Sequence, residues 1–116
     1  MNRNYLLPAY LYVGPFKYAI ITDNDAINAK QLSINNQFAG CADHDELAIY
    51  VKSDMPLAFV QDTLLHELRH CVNHAVGIDG CTELTQEDYI SRTNALFLGT
   101  LQDNPEVVEF MTLKED

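Results

Sequence analysis

From Leu57 to Val76 the chain runs without a proline or glycine, bracketed by Pro56 on one side and Gly77 on the other. On a wheel of about 100° per residue, Leu64, Leu68, Cys71 and Ala75 share a narrow arc. His66, Glu67, His70 and His74 fall on the far side with Thr63 and Phe59. A segment so divided is expected to be a long amphipathic helix with one apolar stripe and a separate face of titratable groups. Ser53-Asp54 before Pro56 supplies a start signal, with the proline in the first helical turn, and Gly77 supplies the stop. Such a helix must lay its stripe against another layer, so the other elements have to provide one.

The candidates for that layer come first in the chain. Tyr10-Leu11-Tyr12-Val13, a Gly14-Pro15 break and Phe16 to Thr22 read as two β-rich runs joined by a turn. Leu47 to Val51 reads as a third strand. Residues 23–40 are polar and Asn-rich, and the segment near Ala26 to Leu32 fits helix or strand equally. After Gly77, Thr85 with Asp88 three residues on is a capping-box variant opening a second helix to about Gln102. Asn104-Pro105 is expected to stop that helix and cap a short terminal one over roughly Glu106 to Leu113. Strands followed by helices predict an α+β fold: a small antiparallel sheet packed on the central helix and a second long helix. At 116 residues, with no repeat, linker or low-complexity run, one domain spanning 1–116 is expected.

Charge and cysteine usage narrow the partners. Seventeen Asp and Glu against seven Lys and Arg give a net charge of −10, scattered along the chain. That field repels phosphate backbones and anionic lipid, so nucleic acid and membrane surfaces are poor partners and a basic or neutral protein is a better one. The apolar run at Leu6 to Val13 is broken by Pro8, is far too short to span a bilayer, and is followed by no cleavage-site pattern. Cys41, Cys71 and Cys81 are odd in number and lack C-x-x-C spacing. They suit free thiols in a reducing compartment, and a soluble cytoplasmic protein is expected.

His66-Glu67-Leu68-Arg69-His70 is an H-E-x-x-H sequence. On a helix it places two imidazoles one turn apart on one face, close enough to share a zinc ion, and sets the glutamate beside them. Neutral imidazole nitrogens bind zinc at about 2.0–2.1 Å, and zinc lowers the pKa of a water toward about 7. A carboxylate held off the metal can accept that water's proton and pass it to a leaving amine. The pattern therefore predicts metal-assisted hydrolysis of a protein or peptide, with His66 and His70 as ligands and Glu67 as general base. Arg69 points to the polar flank, where solvation suffices.

A third ligand has to come from elsewhere. His74 extends the series but lies about 12 Å along the axis from His66 at 1.5 Å per residue, which favours a supporting or surface role. Glu87 in the first turn of the second helix shares a side with Ile90, Asn94 and Phe97 and is the favoured ligand. Glu83 in the loop before it is next, then Asp88 and His44. Acidic residues also favour helix N-termini without any metal, which is the competing explanation of Glu87.

The segments Leu47 to Val51, Thr63 to His70, Glu87, and Asn94-Ala95-Leu96 through Asp103-Asn104-Pro105 resemble the minimal gluzincin-like metallopeptidases of bacteriophage and prophage genomes, distant relatives of the repressor-cleaving peptidases of mobile elements. Roughly residues 40–110 are covered. The resemblance implies a strand beside the active-site helix, zinc on His66 and His70, Glu67 as catalyst, and a glutamate ligand in the following helix that best matches Glu87. Two other classes are compatible with the residues: a zinc-stabilised binding module without turnover, and a metal-free acidic phage protein that sequesters a basic host factor.

Overall fold

The computed structural model describes residues 5–115. Its elements are β1 (Tyr10–Val13), β2 (Phe16–Ile21), α1 (Asn24–Ile34), β3 (Gly40–Asp43), β4 (Ala48–Val51), α2 (Leu57–Ala75), α3 (Gln86–Asp103) and α4 (Pro105–Met111). The fold is α+β, as the order of elements predicted. The sheet runs β1-β2-β4-β3 and is mixed: its two outer pairs are antiparallel, while β2 and β4 in the middle are parallel. The all-antiparallel expectation missed this because the open segment near 26–32 is a helix, α1. That helix takes the chain away from the sheet, so the next two strands can return in either sense.

Gly14 and Pro15 form the two-residue turn of the β1–β2 hairpin. Gly14 sits at φ +56°, while the proline ring holds its own φ negative. That combination matches the right-handed twist of the flanking strands. β4 is buried at every position, as a central parallel strand requires. Ile49 and Val51 join one apolar cluster with Leu11, Val13, Tyr18 and Ile20 of the hairpin and the stripe of α2. Ala48 and Tyr50 point the other way and pack with Ile27 of α1. The sheet thus has the long helix on one face and α1 on the other.

The stripe of α2 is as the wheel placed it. Leu64, Leu68 and Cys71 are fully buried, with Leu57, Val60 and Val72 extending the contact. Burial of each such side chain contributes roughly 1.5–3 kcal/mol, which is what holds the helix to the sheet. Its start differs from expectation. The helix begins at Leu57 with Pro56 in the cap position and no side-chain cap bond. The Pro56 carbonyl accepts from the backbone N–H of Phe59 and Val60, so Ser53 and Asp54 are not needed there.

Its end is a Schellman turn. Gly77 N–H bonds the His74 carbonyl at 3.0 Å and Ile78 N–H bonds the Asn73 carbonyl at 2.9 Å, with Gly77 at φ +79° and Ile78 buried. Thr85 caps α3 through a bond from Asp88 N–H at 3.1 Å, as expected.

Asn104 corrects a second capping expectation. It stands at the start of α4, yet its side chain makes no cap bond there. Instead the buried amide lies along the open edge of β1. Oδ1 accepts the Tyr12 N–H at 2.8 Å, and Nδ2 donates to the Tyr12 carbonyl at 2.6 Å and to the Thr100 carbonyl at 2.7 Å. It stands in for a neighbouring strand at one residue, which both ties the α3–α4 corner to the sheet and blunts that edge.

Candidate metal centre

α2 carries His66 and His70 on its outer side, where their Nε2 atoms converge to 3.2 Å. The rings meet edge to face, with centroids 4.8 Å apart. Two imidazole nitrogens bound tetrahedrally to one zinc at about 2.0–2.1 Å would stand about 3.3–3.4 Å apart, so the pair fits a shared ion without rearrangement. Between them in sequence, Glu67 turns inward and is almost completely buried, its Oε2 3.9 Å from His66 Nε2. The wheel had placed Glu67 on the outer side with the histidines. It lies instead at the boundary where α2 meets β3.

That boundary is set by Gly40. A Cβ there would stand 2.5 Å from Thr63 Cγ2 and 3.1 Å from both Cγ and Oε2 of Glu67, so only glycine lets the helix approach the strand this closely. The backbone N–H of Ala42 then donates to the Glu67 carboxylate. Burial raises the pKa of Glu67, while His66, His70 and the Ala42 N–H pull the other way. A carboxyl group moved upward from its usual range is better matched to proton transfer near neutrality.

Around His70 the structure adds a residue that the sequence did not flag. The Schellman turn carries the chain back over the end of α2, and Asp79 Oδ1 accepts from His70 Nδ1 at 2.8 Å. The other oxygen, Oδ2, lies 3.4 Å from His44 Nε2. His44 is therefore no isolated candidate ligand: its Nδ1 meets the Tyr18 hydroxyl at 3.0 Å, and His74 stacks on its ring at a centroid distance of 4.0 Å and 5° between planes. All four histidines of the chain fall into one connected group. Burial and the neighbouring His74 lower the pKa of His44.

The second helix meets the pair through Tyr89. A cleft of about 230 Å³ is lined by His66, Arg69, His70, Asn73 and Tyr89, and the buried Asn73 amide donates to the Tyr89 hydroxyl. Arg69 is exposed at its rim. Glu87 is two positions earlier, about 200° around the helix from Tyr89, and is exposed, as are Glu83 and Asp88. Among the described residues, no three or more His, Cys, Asp or Glu side chains stand together in a metal-binding group, so Glu87 is not assembled with His66 and His70 here.

A larger hollow of about 650 Å³ lies at the end of α1, lined by Leu32 and amide side chains. It offers no titratable or nucleophilic group. Cys41, Cys71 and Cys81 are free thiols, and burial pushes Cys71 up to about 12, so it is inert at neutral pH. No helix among the described residues is long and apolar enough to cross a membrane. No known family, curated protein or solved structure matches the chain.

Proposed function

We propose that the protein is a zinc-dependent peptidase, with His66 and His70 as two metal ligands, Glu87 as the third, and Glu67 as general base. The observation that carries the reading is the convergence of the two Nε2 atoms to 3.2 Å beside a buried carboxylate. Zinc, when bound, supplies the Lewis acidity that lets a water lose its proton near neutral pH and polarises a carbonyl. Glu67 takes that proton, held in place by the Ala42 N–H and the space left by Gly40. Asp79 keeps the His70 ring oriented by accepting from Nδ1, the usual outer support of a ligand histidine. The Tyr89 hydroxyl, anchored by Asn73, is the donor in the cleft suited to a developing oxyanion. Glu87 is exposed on the side of α3 away from Tyr89, so joining the pair requires the first turn of α3 to rearrange.

The substrate we infer is an extended peptide. β3 is the outer strand of the sheet on the side of α2, and the bond from Lys52 N–H to the Ala39 carbonyl fixes the alternation of its ladder with β4. Gly40 and the Ala42 carbonyl consequently face the open edge, beside the Glu67 that takes the Ala42 N–H, and there a peptide can add as a further strand.

One observation favours a metal-free alternative: 3.2 Å is also an ordinary hydrogen-bond length between two neutral imidazoles. The experiment is elemental analysis of purified protein together with incubation of wild type and Glu67→Gln with a denatured-protein pool, mapping new termini by mass spectrometry with and without chelator. One zinc per chain, chelator-sensitive cleavage, and a zinc-loaded but inactive Glu67→Gln are expected. Absence of zinc after reconstitution favours the metal-free reading. Cleavage by zinc-loaded Glu67→Gln removes the general-base role.

A further inference from the structure

We propose that His44 is a positioning residue for the His66–His70 pair: clamped between Tyr18 and Asp79, it holds Asp79 against His70 and so keeps the His70 proton on Nδ1. The consequence for metal binding rests on the function proposed above. The positioning itself does not.

The argument is one of donors and acceptors along a line of contacts. An ionised Asp79 can only accept, so the 2.8 Å contact with His70 Nδ1 requires the proton on that nitrogen, leaving the lone pair on Nε2 aimed at His66. The second Asp79 oxygen faces His44 Nε2 at 3.4 Å. Were that nitrogen unprotonated, two lone pairs would oppose each other. His44 therefore carries its proton on Nε2, and its bare Nδ1 accepts from the Tyr18 hydroxyl at 3.0 Å. The Tyr18 side chain is held beside Cys71 in the core, which fixes the hydroxyl where His44 meets it. With both imidazoles neutral, this placement of protons satisfies every contact from Tyr18 to His70, and it leaves free the His70 nitrogen that a metal needs.

The fold makes this line stiff at the His44 end. Tyr18 and Cys71 are completely enclosed in the core between β2 and α2. The loop bearing His44 is pinned because Asp43 Oδ1 accepts from the backbone N–H of Asp45 and Glu46 at 3.0 and 2.9 Å, while Lys30 of α1 binds Asp43 and Glu46. His74 covers one face of the His44 ring. Asp79, by contrast, sits in a connecting loop between Gly77 and Gly80, both at positive φ, so the contact with His44 is what ties its free oxygen to the rigid part of the molecule.

Two measurements on the full chain test this, the first without any metal. In ¹⁵N-histidine spectra of metal-free wild type, His70 is expected as the Nδ1–H tautomer. His44→Ala and the near-isosteric Tyr18→Phe, which deletes one hydroxyl, should both move His70 toward a mixture containing Nε2–H. His44→Gln, whose amide can still donate to Asp79, should restore the wild-type tautomer. In a zinc competition titration, His44→Ala should bind about tenfold or more weakly, the loss typical of an outer support, and His44→Gln should recover most of it. An unchanged His70 tautomer in both His44→Ala and Tyr18→Phe overturns the proposal, as does a loss of thermal stability with no tautomer change. If wild type takes up no zinc, the peptidase reading fails, and the tautomer spectra still decide the role of His44.

Discussion

Replacing Asn104 separates two roles that the same residue could play. Its amide makes three hydrogen bonds, two to Tyr12 at the edge of β1 and one to the Thr100 carbonyl, and the residue is buried. Asn104→Ala removes all three. A neutral bond is worth about 0.5–1.5 kcal/mol net, and a buried group left without a partner costs about 1–3 kcal/mol. Water reaches part of Tyr12, whose residue is 42% exposed, so some of the penalty is relieved. A loss of about 2–4 kcal/mol follows, and for a chain of this size roughly 3–6 °C of Tm per kcal/mol. The informative partner is Asn104→Asp. As a helix cap, Asp is as good as Asn, so a capping role predicts almost no change. At the strand edge, Asp keeps one acceptor, loses both donors, and sets a carboxylate against two carbonyl oxygens. Asn104→Asp should therefore cost at least as much as Asn104→Ala in thermal or urea unfolding at pH 7. A Tm for Asn104→Asp within about 2 °C of wild type would refute the edge-pairing account.

Gly40→Ala should destabilise by about 1–3 kcal/mol, because its Cβ would meet Thr63 Cγ2 at 2.5 Å, and Thr63→Ser in the same chain should restore much of the loss in urea titrations. Glu67→Gln should raise the Tm of the metal-free protein at pH 7. Burial raises the folded pKa of Glu67 above its unfolded 4.5, so the wild-type acid supports the fold below 4.5 and that support is lost as pH rises through the folded value; the gain over wild type should vanish below pH 4.5 in parallel melts. Glu87→Ala should weaken zinc binding severely and Glu83→Ala little. Parallel zinc titrations check the pair, and a Glu87 acting only through the helix dipole would change stability by no more than about 0.3–1 kcal/mol with affinity intact.

The features legible from the order of residues alone are those set within a few positions of one another. The spacing of Leu64, Leu68 and Cys71 fixed the buried stripe of α2, the four-residue interval of His66 and His70 fixed their side-by-side rings, and Gly77 and Thr85 marked a stop and a start through turn and capping chemistry. Each follows from helical geometry or from one residue's own conformational limits. β3 escaped because Gly40-Cys41-Ala42-Asp43 has no alternation to read, and its strand character comes from pairing with β4.

The remaining features come from packing between segments distant in the chain. A wheel gives the faces of a helix but not the angle at which it docks, which is why α3 turns Tyr89 and not Glu87 to the cleft, and why Glu67 proved buried against Gly40. Asn104 looked like a cap because capping is a local bond. It is drawn 92 residues back in sequence to Tyr12 because an open strand edge, closed inside the fold, offers a donor and an acceptor with no other partner in register. Likewise Tyr18, His44, Asp79 and His70 lie on four different elements or loops, and only the packing of α2 on the sheet brings their polar atoms into line.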